Sequence, residues 1–404
     1  MEKTVCELFA GVGGFRLGLE ASARGKGSEP WQTVFANQWE PSRKRQDAFD
    51  CYCAHFGYRE EYTNVDIATV DKAGIPDHTL LCAGFPCQDY SVARTQAKGI
   101  EGKKGVLWWQ VLETIKAKHP PFVLLENVDR LLKSPASQRG RDFGIILASL
   151  WYAGYAAEWR VVNAADYGFP QRRRRVFIFA MREGTRAEAR LAAAGSREVM
   201  AGLGVFAQAF PCRLREKVPA PKALPIGDLA IVSDIFAFDF KTAGCMFDGL
   251  IYTADAEPDY HGRHLCLADV LDHPANPLCY QTGSLEKWQY LKGGKKLQRT
   301  AKNGHVYTYS EGPVPYPDPI ERPARTILTS ESAVSRTSHI IMDPDTHKMR
   351  LLSPEEAEAL QGFPKGWTNT GMNLRSRYFC MGNALVTGCI QRIGSILNTI
   401  VAGE

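Results

Sequence analysis

The chain lacks the long apolar runs and the ordered cysteine spacing that mark membrane-spanning and disulfide-stapled proteins. None of its apolar stretches approaches the roughly 20 residues that a membrane-spanning helix needs, and no signal-peptide pattern opens it. Its 11 cysteines are an odd number and are scattered without framework spacing. We therefore expect a cytoplasmic protein with mostly free thiols and no membrane partner.

Metal-binding motifs and a strong excess of one charge are also missing. Cys51-Tyr52-Cys53 is the one tight cysteine pair, and no matching His or Cys pair accompanies it, so no metal cofactor is expected. The net charge of +5 is mild for 404 residues, and it permits a polyanionic partner without requiring one. The hydrophobic content of 45% and the length together predict a packed globular protein of two domains.

Strands and helices are predicted to alternate up to residue 181. Short apolar runs typical of strands occur at Thr4–Ala10, Thr33–Asn37, Thr79–Ala83, Phe122–Leu125, Tyr155–Asn163 and Val176–Met181. Amphipathic stretches separate most of them, which predicts an α/β fold with a Rossmann-like, doubly wound, mostly parallel sheet. From Pro211 to Pro319 the sequence is irregular and rich in proline, glycine and short β-like runs, so we expect a smaller domain of mixed or mostly β character.

A glycine-rich turn follows the first predicted strand and precedes the first helix. Its sequence is Phe9-Ala10-Gly11-Val12-Gly13-Gly14, and glycines at such a place let the backbone approach a nucleotide-like ligand closely. The glycine spacing differs from the dinucleotide fingerprint, and no Gly-Lys-Ser/Thr follows, which disfavours hydride transfer and a phosphate cradle. Taken alone, the turn is equally compatible with a tight turn that binds nothing.

Polar and aromatic side chains follow the second predicted strand, and an acid, Asp66, follows a third run. Trp39 could cover one face of an adenine ring, Gln38 or Glu40 could bind ribose hydroxyls, and Asp66 could accept a hydrogen bond from an exocyclic amine. Individually, Trp39 is more typical of a core and Asp66 of a turn or helix cap. At the ends of successive strands, however, these residues together with the glycine turn predict a nucleoside pocket.

A cysteine and a carboxylate follow two further strands. The stretch Leu80–Ser91 is typical of a buried strand that delivers Cys87 to the edge of the sheet, and the next strand ends in Glu126. Because the carboxyl ends of parallel strands meet at one crevice, the thiol and the carboxyl are expected to face each other. An inert buried thiol is the commoner fate of cysteine, but the basic, glycine-containing stretch Arg94–Gly105 that follows favours a nucleophile acting on nucleic acid.

Four consecutive arginines, Arg172 to Arg175, stand directly before the last of these strands. Such a run usually forms a solvated face. Strand alternation sends Arg173 and Arg175 to one side and the other two to the opposite side. One pair can therefore face the crevice, lower the pKa of the thiol and hold a substrate oxygen.

These groups suit attack on an electron-poor pyrimidine ring. A thiolate adds to carbon 6 while a carboxyl group hydrogen-bonds or protonates ring nitrogen 3. Carbon 5 then accepts a methyl group from a sulfonium donor. Because carbon 6 is not reachable inside a duplex, a duplex substrate would have to be flipped out.

The motifs resemble the signature blocks of the bacterial type of DNA (cytosine-5) methyltransferase family. Six blocks occur in the family order along almost the whole chain: Phe9–Gly14, Gly84–Ser91, Glu126–Val128, Gln171–Arg175, Arg322–Thr326 and Gly382–Val386. The resemblance implies S-adenosyl-L-methionine as methyl donor, S-adenosyl-L-homocysteine as product and double-stranded DNA as substrate. We expect a monomer, and a cognate restriction endonuclease is an expected partner of a restriction–modification enzyme, although an orphan enzyme would have none.

The resemblance also implies roles for individual residues. It makes Cys87 the nucleophile, places Glu126 on the base edge and puts Arg173 and Arg175 in support. The residues expected at the methyl donor are Phe9, Ala10, Gly11, Gly13, Gly14, Gln38, Trp39, Glu40, Asp66, Ile67, Pro86, Asn383 and Val386.

The chain departs from the family pattern at two positions. Gln38 stands where the family usually has an acid before the tryptophan, so either Gln38 contacts the ribose or Glu40 replaces it. Ala93 is too short to fill the gap that a flipped base leaves, so Arg94 or a residue of the recognition domain is expected to fill it.

The resemblance divides the chain into functional segments. Residues 1–183 with 375–404 are expected to form the catalytic domain, 184–321 the target recognition domain, and 322–374 a connecting segment. From Lys287 to Lys302 there are six Lys/Arg and no acids, and Asn303-Gly304 is typical of a hairpin turn. A solubilising loop is one interpretation; the other is a basic strip that lies on phosphates and reaches into the major groove. The expected DNA contacts are Gln88, Ser91, Arg94, Lys98, Lys292, Lys295, Lys296 and Arg299.

Two other functions are compatible with parts of this pattern. The same chemistry on RNA is one, but the long basic interval between the blocks favours DNA, because RNA-modifying relatives are expected to be shorter there. A catalytically silent DNA-binding module is the other, and the joint presence of Cys87, Glu126, Arg173 and Arg175 argues against it.

Overall fold

The structure, a computed structural model, describes residues 1–24, 28–85, 107–280, 282–301 and 304–404. Two compact units are present. Unit 1 consists of Met1–Tyr167, Arg174–Gly262 and Thr387–Glu404, and unit 2 of Gly168–Arg173 and Arg263–Val386. These boundaries differ from the predicted segments, because residues 184–262 cluster with unit 1 and residues 322–374 are an integral part of unit 2. The functional division drawn from the sequence stays a prediction.

The described residues of unit 1 form twelve strands: β1 (Thr4–Leu8), β2 (Gln32–Asn37), β3 (Tyr62–Thr63), β4 (Leu80–Gly84), β5 (Phe122–Val128), β6 (Tyr155–Asn163), β7 (Arg174–Arg182), β8 (Cys212–Leu214), β9 (Lys222–Ala223), β10 (Ala243–Phe247), β11 (Leu250–Ala254) and β12 (Ala256–Pro258). Ten of them make one sheet in the order β3-β2-β1-β4-β5-β7-β6-β10-β11-β9, and β8 pairs with β12. Unit 2 contributes β13 (Lys295–Thr300), β14 (Val306–Glu311), β15 (Ile341–Met342) and β16 (Met349–Arg350).

The helices cover the sheet of unit 1 and fill unit 2. Among the described residues they are α1 (Gly14–Ala23), α2 (Asp47–Phe56), α3 (Leu107–Lys118), α4 (Arg141–Tyr152), α5 (Arg186–Ala194), α6 (Ser196–Glu198), α7 (Val205–Ala209), α8 (Leu229–Ile235), α9 (Leu285–Lys292), α10 (Pro354–Leu360), α11 (Leu374–Asn383) and α12 (Thr387–Gly403). Within the described part of the chain, no single helix is long and apolar enough to cross a membrane. The helices α11 and α12 meet the length and composition criteria only when they are taken together.

The large sheet confirms the predicted α/β fold, but it is a mixed sheet in which four of the nine neighbouring strand pairs are parallel and five are antiparallel, and this requires two corrections. Neighbours from β3 to β5 are parallel, but β7 lies antiparallel between β5 and β6. Parallel neighbours need a crossover of about a dozen residues or more, usually a helix, and the short segment between β6 and β7 provides none. The second correction is that β9, β10 and β11 extend this sheet, although the sequence assigns their region to the smaller domain.

The core of unit 1 surrounds strands that are buried on both faces. All residues of Leu80–Ala83 and of Phe122–Leu125 have no exposed surface, as their uninterrupted apolar sequences predict for central parallel strands. The C-terminal helix α12 packs on α1, where a Cβ at Gly18 would lie 2.6 Å from Ile390. The chain therefore returns to complete unit 1, but from Thr387 and not from residue 375, because residues 375–386 belong to unit 2.

Buried ion pairs hold unit 2 together. Arg350 contacts Asp343 at 2.5 Å and Glu356 at 2.8 Å, and all three side chains are at most 1% exposed. Ser353 caps α10 in a capping box with Glu356, and Pro354 occupies the first turn. A serine cap followed by proline in the first turn is a typical helix start, which explains why α10 begins here.

Candidate active site

The glycine turn after β1 has left-handed backbone at two glycines, Gly11 with φ 58° and Gly13 with φ 89°. The main-chain N–H of Ala10 donates to the carbonyl of Asn37 at 3.0 Å and ties the turn to the end of β2. A Cβ at Gly13 would lie 2.3 Å from the Phe56 ring, whereas one at Gly11 would meet no described atom within 4 Å. Packing therefore requires glycine at position 13, while Gly11 leaves room for the close approach of a ligand.

Gln38 shapes this turn. Its Oε1 accepts a hydrogen bond from the N–H of Gly11 at 2.7 Å, and its Nε2 lies 3.5 Å from Glu40 Oε1. The main-chain N–H of Glu40 donates to Gln46 Oε1 at 2.8 Å, and burial raises the pKa of the Glu40 carboxyl. Because the Gln38 oxygen faces Gly11, the geometry favours Glu40 as the acid for a ribose. The half-buried Trp39 stands between them.

Asp66 and Ile67 open a short helical turn beyond β3. Asp66 Oδ1 accepts a hydrogen bond from the N–H of Ala68 at 3.0 Å, so Asp66 has the cap role that the sequence offers as one alternative. Ile67 is 2% exposed and belongs to the hydrophobic core, against which Phe9 also packs. The contact of Asp66 with an exocyclic amine stays a prediction.

Glu126 and Arg175 form an ion pair at the end of β5. Arg175 Nε lies 2.8 Å from Glu126 Oε1, and the two side chains are 16% and 12% exposed. Gly84, the last residue of β4, is in register with Glu126, and a Cβ there would lie 3.6 Å from Glu126 Oε2. Although Arg175 is close to Glu126 Oε1, its N–H groups do not point at this oxygen. Glu126 Oε1 therefore accepts no hydrogen bond from the described residues. A carboxylate thus stands beside the end of β4 with hydrogen-bonding capacity left.

Asn127 is a functional candidate that sequence reasoning missed. Its Nδ2 donates to the carbonyl of Phe85 at 2.7 Å, its Oδ1 accepts from the N–H of Val128 at 2.8 Å, and the residue is 2% exposed. The sequence signal is a polar amide directly after Glu126, at the end of the apolar run Phe122–Leu125.

Six predicted site residues lie outside the described residues: Pro86, Cys87, Gln88, Ser91, Arg94 and Lys98. The predicted nucleophile and the contacts expected of its neighbours therefore stay predictions from the sequence. The described chain reaches Phe85, two residues before Cys87.

The four arginines alternate as predicted for a strand. Arg172 and Arg174 are exposed, whereas Arg173 is buried and Arg175 mostly buried. Arg173 belongs to unit 2, where its guanidinium donates to the carbonyls of Ile327 at 3.1 Å and of Gly382 at 2.8 Å. Arg173 and Arg175 thus have partners in different units, and their joint support of Cys87 stays a prediction.

The last sequence block also lies in unit 2. Asn383, the final residue of α11, is exposed, and Val386 is 4% exposed. Their expected contact with the methyl donor is not tested by these positions and stays a prediction.

The basic strip of unit 2 divides into exposed and buried cations. Lys296 and Arg299 on β13 are exposed and Lys295 is half-buried, as DNA contacts require. Lys292 is 1% exposed, and its Nζ lies 2.5 Å from the carbonyl of Ser338 and 3.5 Å from Asp318. The expectation that Lys292 contacts DNA is therefore wrong, because its charge is used inside unit 2.

Solved structures share the fold defined by this sheet. The chain is similar to a Spodoptera frugiperda DNMT2 mutant, with a TM-score of 0.61 and 12% identity over 99% of this chain and 100% of that one. It is also similar to the S. pombe Dnmt2 methyltransferase, with a TM-score of 0.59 and 14% identity over 100% and 99% of the two chains. The fold is that of class I methyltransferases, with a large mixed sheet whose parallel strands run from β3 to β5.

The sequence comparisons define the family. The profile of the C-5 cytosine-specific DNA methylase family matches residues 3–398. Type II methyltransferase M.Sau3AI of Staphylococcus aureus is 45% identical over 402 residues, which are 98% of this chain and 95% of that protein. Type II methyltransferase M.NgoBI of Neisseria gonorrhoeae is 38% identical over 44% of this chain and 50% of its own length. The chain belongs to the C-5 cytosine-specific DNA methylase family, and it is an enzyme of the DNA (cytosine-5) methyltransferase class.

Proposed function

We propose that the chain methylates carbon 5 of a flipped-out cytosine within a specific duplex DNA site. The observation that carries the proposal is the Glu126–Arg175 ion pair at 2.8 Å, beside the strand end that leads into Pro86-Cys87. A carboxyl group at this edge suits a cytosine, because ring nitrogen 3 takes a hydrogen bond or a proton from it.

The family implies S-adenosyl-L-methionine as the methyl donor, and the residues present fit it. Gly11 offers open space at a left-handed backbone position, the half-buried Trp39 offers a ring face, and Glu40 offers an acid for the ribose. Together with Asp66, these residues would hold the donor. When bound, it supplies the methyl group that carbon 5 receives.

The chain's own residues supply the activation of the ring. The Cys87 thiolate bonds to carbon 6 while Glu126 hydrogen-bonds or protonates nitrogen 3, so carbon 5 becomes enamine-like. Arg175 holds the Glu126 carboxyl in place through their ion pair. After methylation, loss of the carbon-5 proton to a base releases the pair of electrons that expels the thiolate and restores the ring.

Duplex DNA is proposed as the substrate, with the cytosine rotated out of the stack to reach the thiolate. The cations of β13 support this, because the exposed Lys296 and Arg299 and the half-buried Lys295 present positive charge to phosphates. Since the relative that is 45% identical over nearly the whole chain is a Type II methyltransferase, we propose a place in restriction–modification. The enzyme would then act as a monomer on cytoplasmic DNA, beside a cognate restriction endonuclease.

Transfer of label from methyl-labelled donor to duplex DNA or to tRNA tests the proposal. We expect label on DNA with the wild-type chain, none with Cys87→Ser or Glu126→Gln, and unchanged donor binding by calorimetry in both variants. Cys266→Ser is the matched control, because this partly buried cysteine of unit 2 is not among the residues proposed for the site, and it should label DNA as the wild type does. Activity in Cys87→Ser would overturn the mechanism, and label on tRNA alone would overturn the substrate. Bisulfite sequencing of a host genome that expresses the chain would give the target site.

A further inference from the structure

Strands β13 and β14 of unit 2 form a two-stranded sheet of their own, a ribbon with pairs from Lys295↔Glu311 to Thr300↔Val306. Such a hairpin is only marginally stable in isolation. Successive cross-strand pairs point to opposite sides of the ribbon, so the ribbon has two faces with different side chains. The polar face carries Lys296, Gln298, Thr300, Val306, Thr308 and Ser310, and the aromatic face carries Lys295, Leu297, Arg299, Tyr307, Tyr309 and Glu311.

The aromatic face contacts the rest of unit 2 at the end of the ribbon formed by the Lys295–Glu311 pair, which we call the base. Lys295 Nζ lies 4.1 Å from the centre of the Tyr290 ring on α9, and Arg336 lies 3.5 Å from the Glu311 carboxylate. On the polar face all six side chains are exposed. Its central pair is joined by a hydrogen bond of 3.1 Å from Gln298 Nε2 to Thr308 Oγ1.

The base of the ribbon is held by buried and partly buried cations. Arg336 donates to the carbonyls of Leu291 at 2.8 Å and Gly293 at 2.9 Å before β13, and to the carbonyl of Gly312 after β14. Lys292 donates to the carbonyl of Ser338 inside the unit. Both strands therefore leave a base that is held by side-chain hydrogen bonds, and the side chains of the polar face are exposed.

We infer that the polar face of this ribbon lies in the major groove and that Gln298 and Thr308 read base edges there. This rests on the proposed function. The major groove of B-DNA admits a two-stranded β-ribbon, and glutamine can bind adenine N6 and N7 with two hydrogen bonds. The bond to Thr308 fixes the Gln298 amide and leaves its Oε1 and one N–H free for those two atoms.

Charge favours DNA as the occupant. Residues 287–301 carry five Lys/Arg and no acid, so the segment complements phosphates on either side of a groove. On the polar face, the methyl groups of Thr300 and Val306 suit contact with thymine methyls, and Lys296 at the base suits a phosphate. Phosphate contacts fix the ribbon on the duplex, and the central pair specifies sequence.

A duplex library with randomised sequence around cytosine tests the inference. After reaction with the wild-type chain, bisulfite sequencing gives the base preference at each position. We expect Gln298→Ala to relax the preference at one base pair by about tenfold, and Thr308→Val to relax the same or the adjacent position. Lys295→Ala, on the aromatic face of the same strand, is the control. It should weaken binding to all sequences alike and reduce the salt slope by about one.

The outcomes separate the two proposals. If the wild type methylates no duplex, the proposed function fails and the inference with it. If the wild type is selective and both polar-face variants keep every base preference, the inference alone is overturned. Relaxed preference in Lys295→Ala would also overturn it, since the reading face would then be the opposite one. Because the Gln298 and Thr308 side chains are exposed, thermal unfolding and donor binding should match the wild type in both polar-face variants.

Discussion

Asn127 Nδ2 donates a hydrogen bond of 2.7 Å to the carbonyl oxygen of Phe85. The bond joins the end of β5 to the residue after β4, just ahead of Pro86-Cys87 in the sequence. It stands one residue from Glu126, so the same strand end that carries the carboxylate also fixes the exit of the strand before the cysteine.

Replacing Asn127 with alanine should slow methylation without weakening donor binding. The change leaves the buried Phe85 carbonyl without its donor, which costs about 1–3 kcal/mol of stability, and it loosens a strand exit whose position matters to the reaction. We expect the single-turnover rate to fall about tenfold or more. Asn369→Ala, at an exposed position, is the control. A variant rate equal to that of the wild type would exclude a positioning role for Asn127.

Glu40→Gln should weaken binding of S-adenosyl-L-methionine about tenfold, because a charged hydrogen bond to a ribose hydroxyl contributes about 1.5–3 kcal/mol. The Gln38 oxygen is used by the N–H of Gly11, which leaves Glu40 as the nearby acid. Calorimetric titration measures the effect, with the exposed Glu60→Gln as control. If Glu40→Gln binds S-adenosyl-L-methionine as tightly as the wild type, the ribose contact is assigned to Gln38 instead.

The buried Glu7 should make stability fall as pH rises. Burial raises its pKa from 4.5 to about 7, although Arg16 and a hydrogen bond from the Tyr52 hydroxyl oppose the change. Between these values the folded chain binds more protons at Glu7 than the unfolded chain. The free energy of unfolding therefore decreases across this window, by up to about 3 kcal/mol from Glu7, and the loss is complete above the folded pKa.

Denaturant unfolding of Glu7→Gln at pH 5 to 8 tests this expectation. The stability of the variant relative to the wild type should rise with pH across that range, because the glutamine does not ionise. Glu60→Gln, which is exposed, should keep a constant difference from the wild type. A constant difference in Glu7→Gln as well would mean that Glu7 is not protonated in the folded protein.

Arg350→Met should destabilise the protein by about 3–5 kcal/mol, because it leaves Asp343 and Glu356 as buried carboxylates without their cation. Denaturant unfolding followed by circular dichroism measures the loss. Arg213→Met is the control: Arg213 pairs with Asp259, but its side chain is 75% exposed, so little change is expected. Equal effects of the two substitutions would contradict a special role for the buried pairs.

The sequence identifies strand ends better than strand directions. Apolar runs and the polar residues after them predict where Glu126 and the glycine turn lie, because those signals are local. The direction of β7 is set by its pairing with β5 and β6, which its own residues do not specify. Lys292 is a similar case: its burial depends on Asp318 and Ser338, which are distant in sequence and close over it only in the folded unit.

The packing of α12 on α1 sets an order for folding. Gly18 and Gly394 let the two helices approach, and Trp31, the residue before β2, donates to Asn398 of α12 at 2.9 Å. During translation, α12 is synthesised only after all of unit 2. The apolar side of α1 therefore stays uncovered until synthesis is almost complete. Deleting residues 387–404 should therefore leave the apolar side of α1 exposed and make the protein prone to aggregation, even though the glycine turn and Glu126 are both still present.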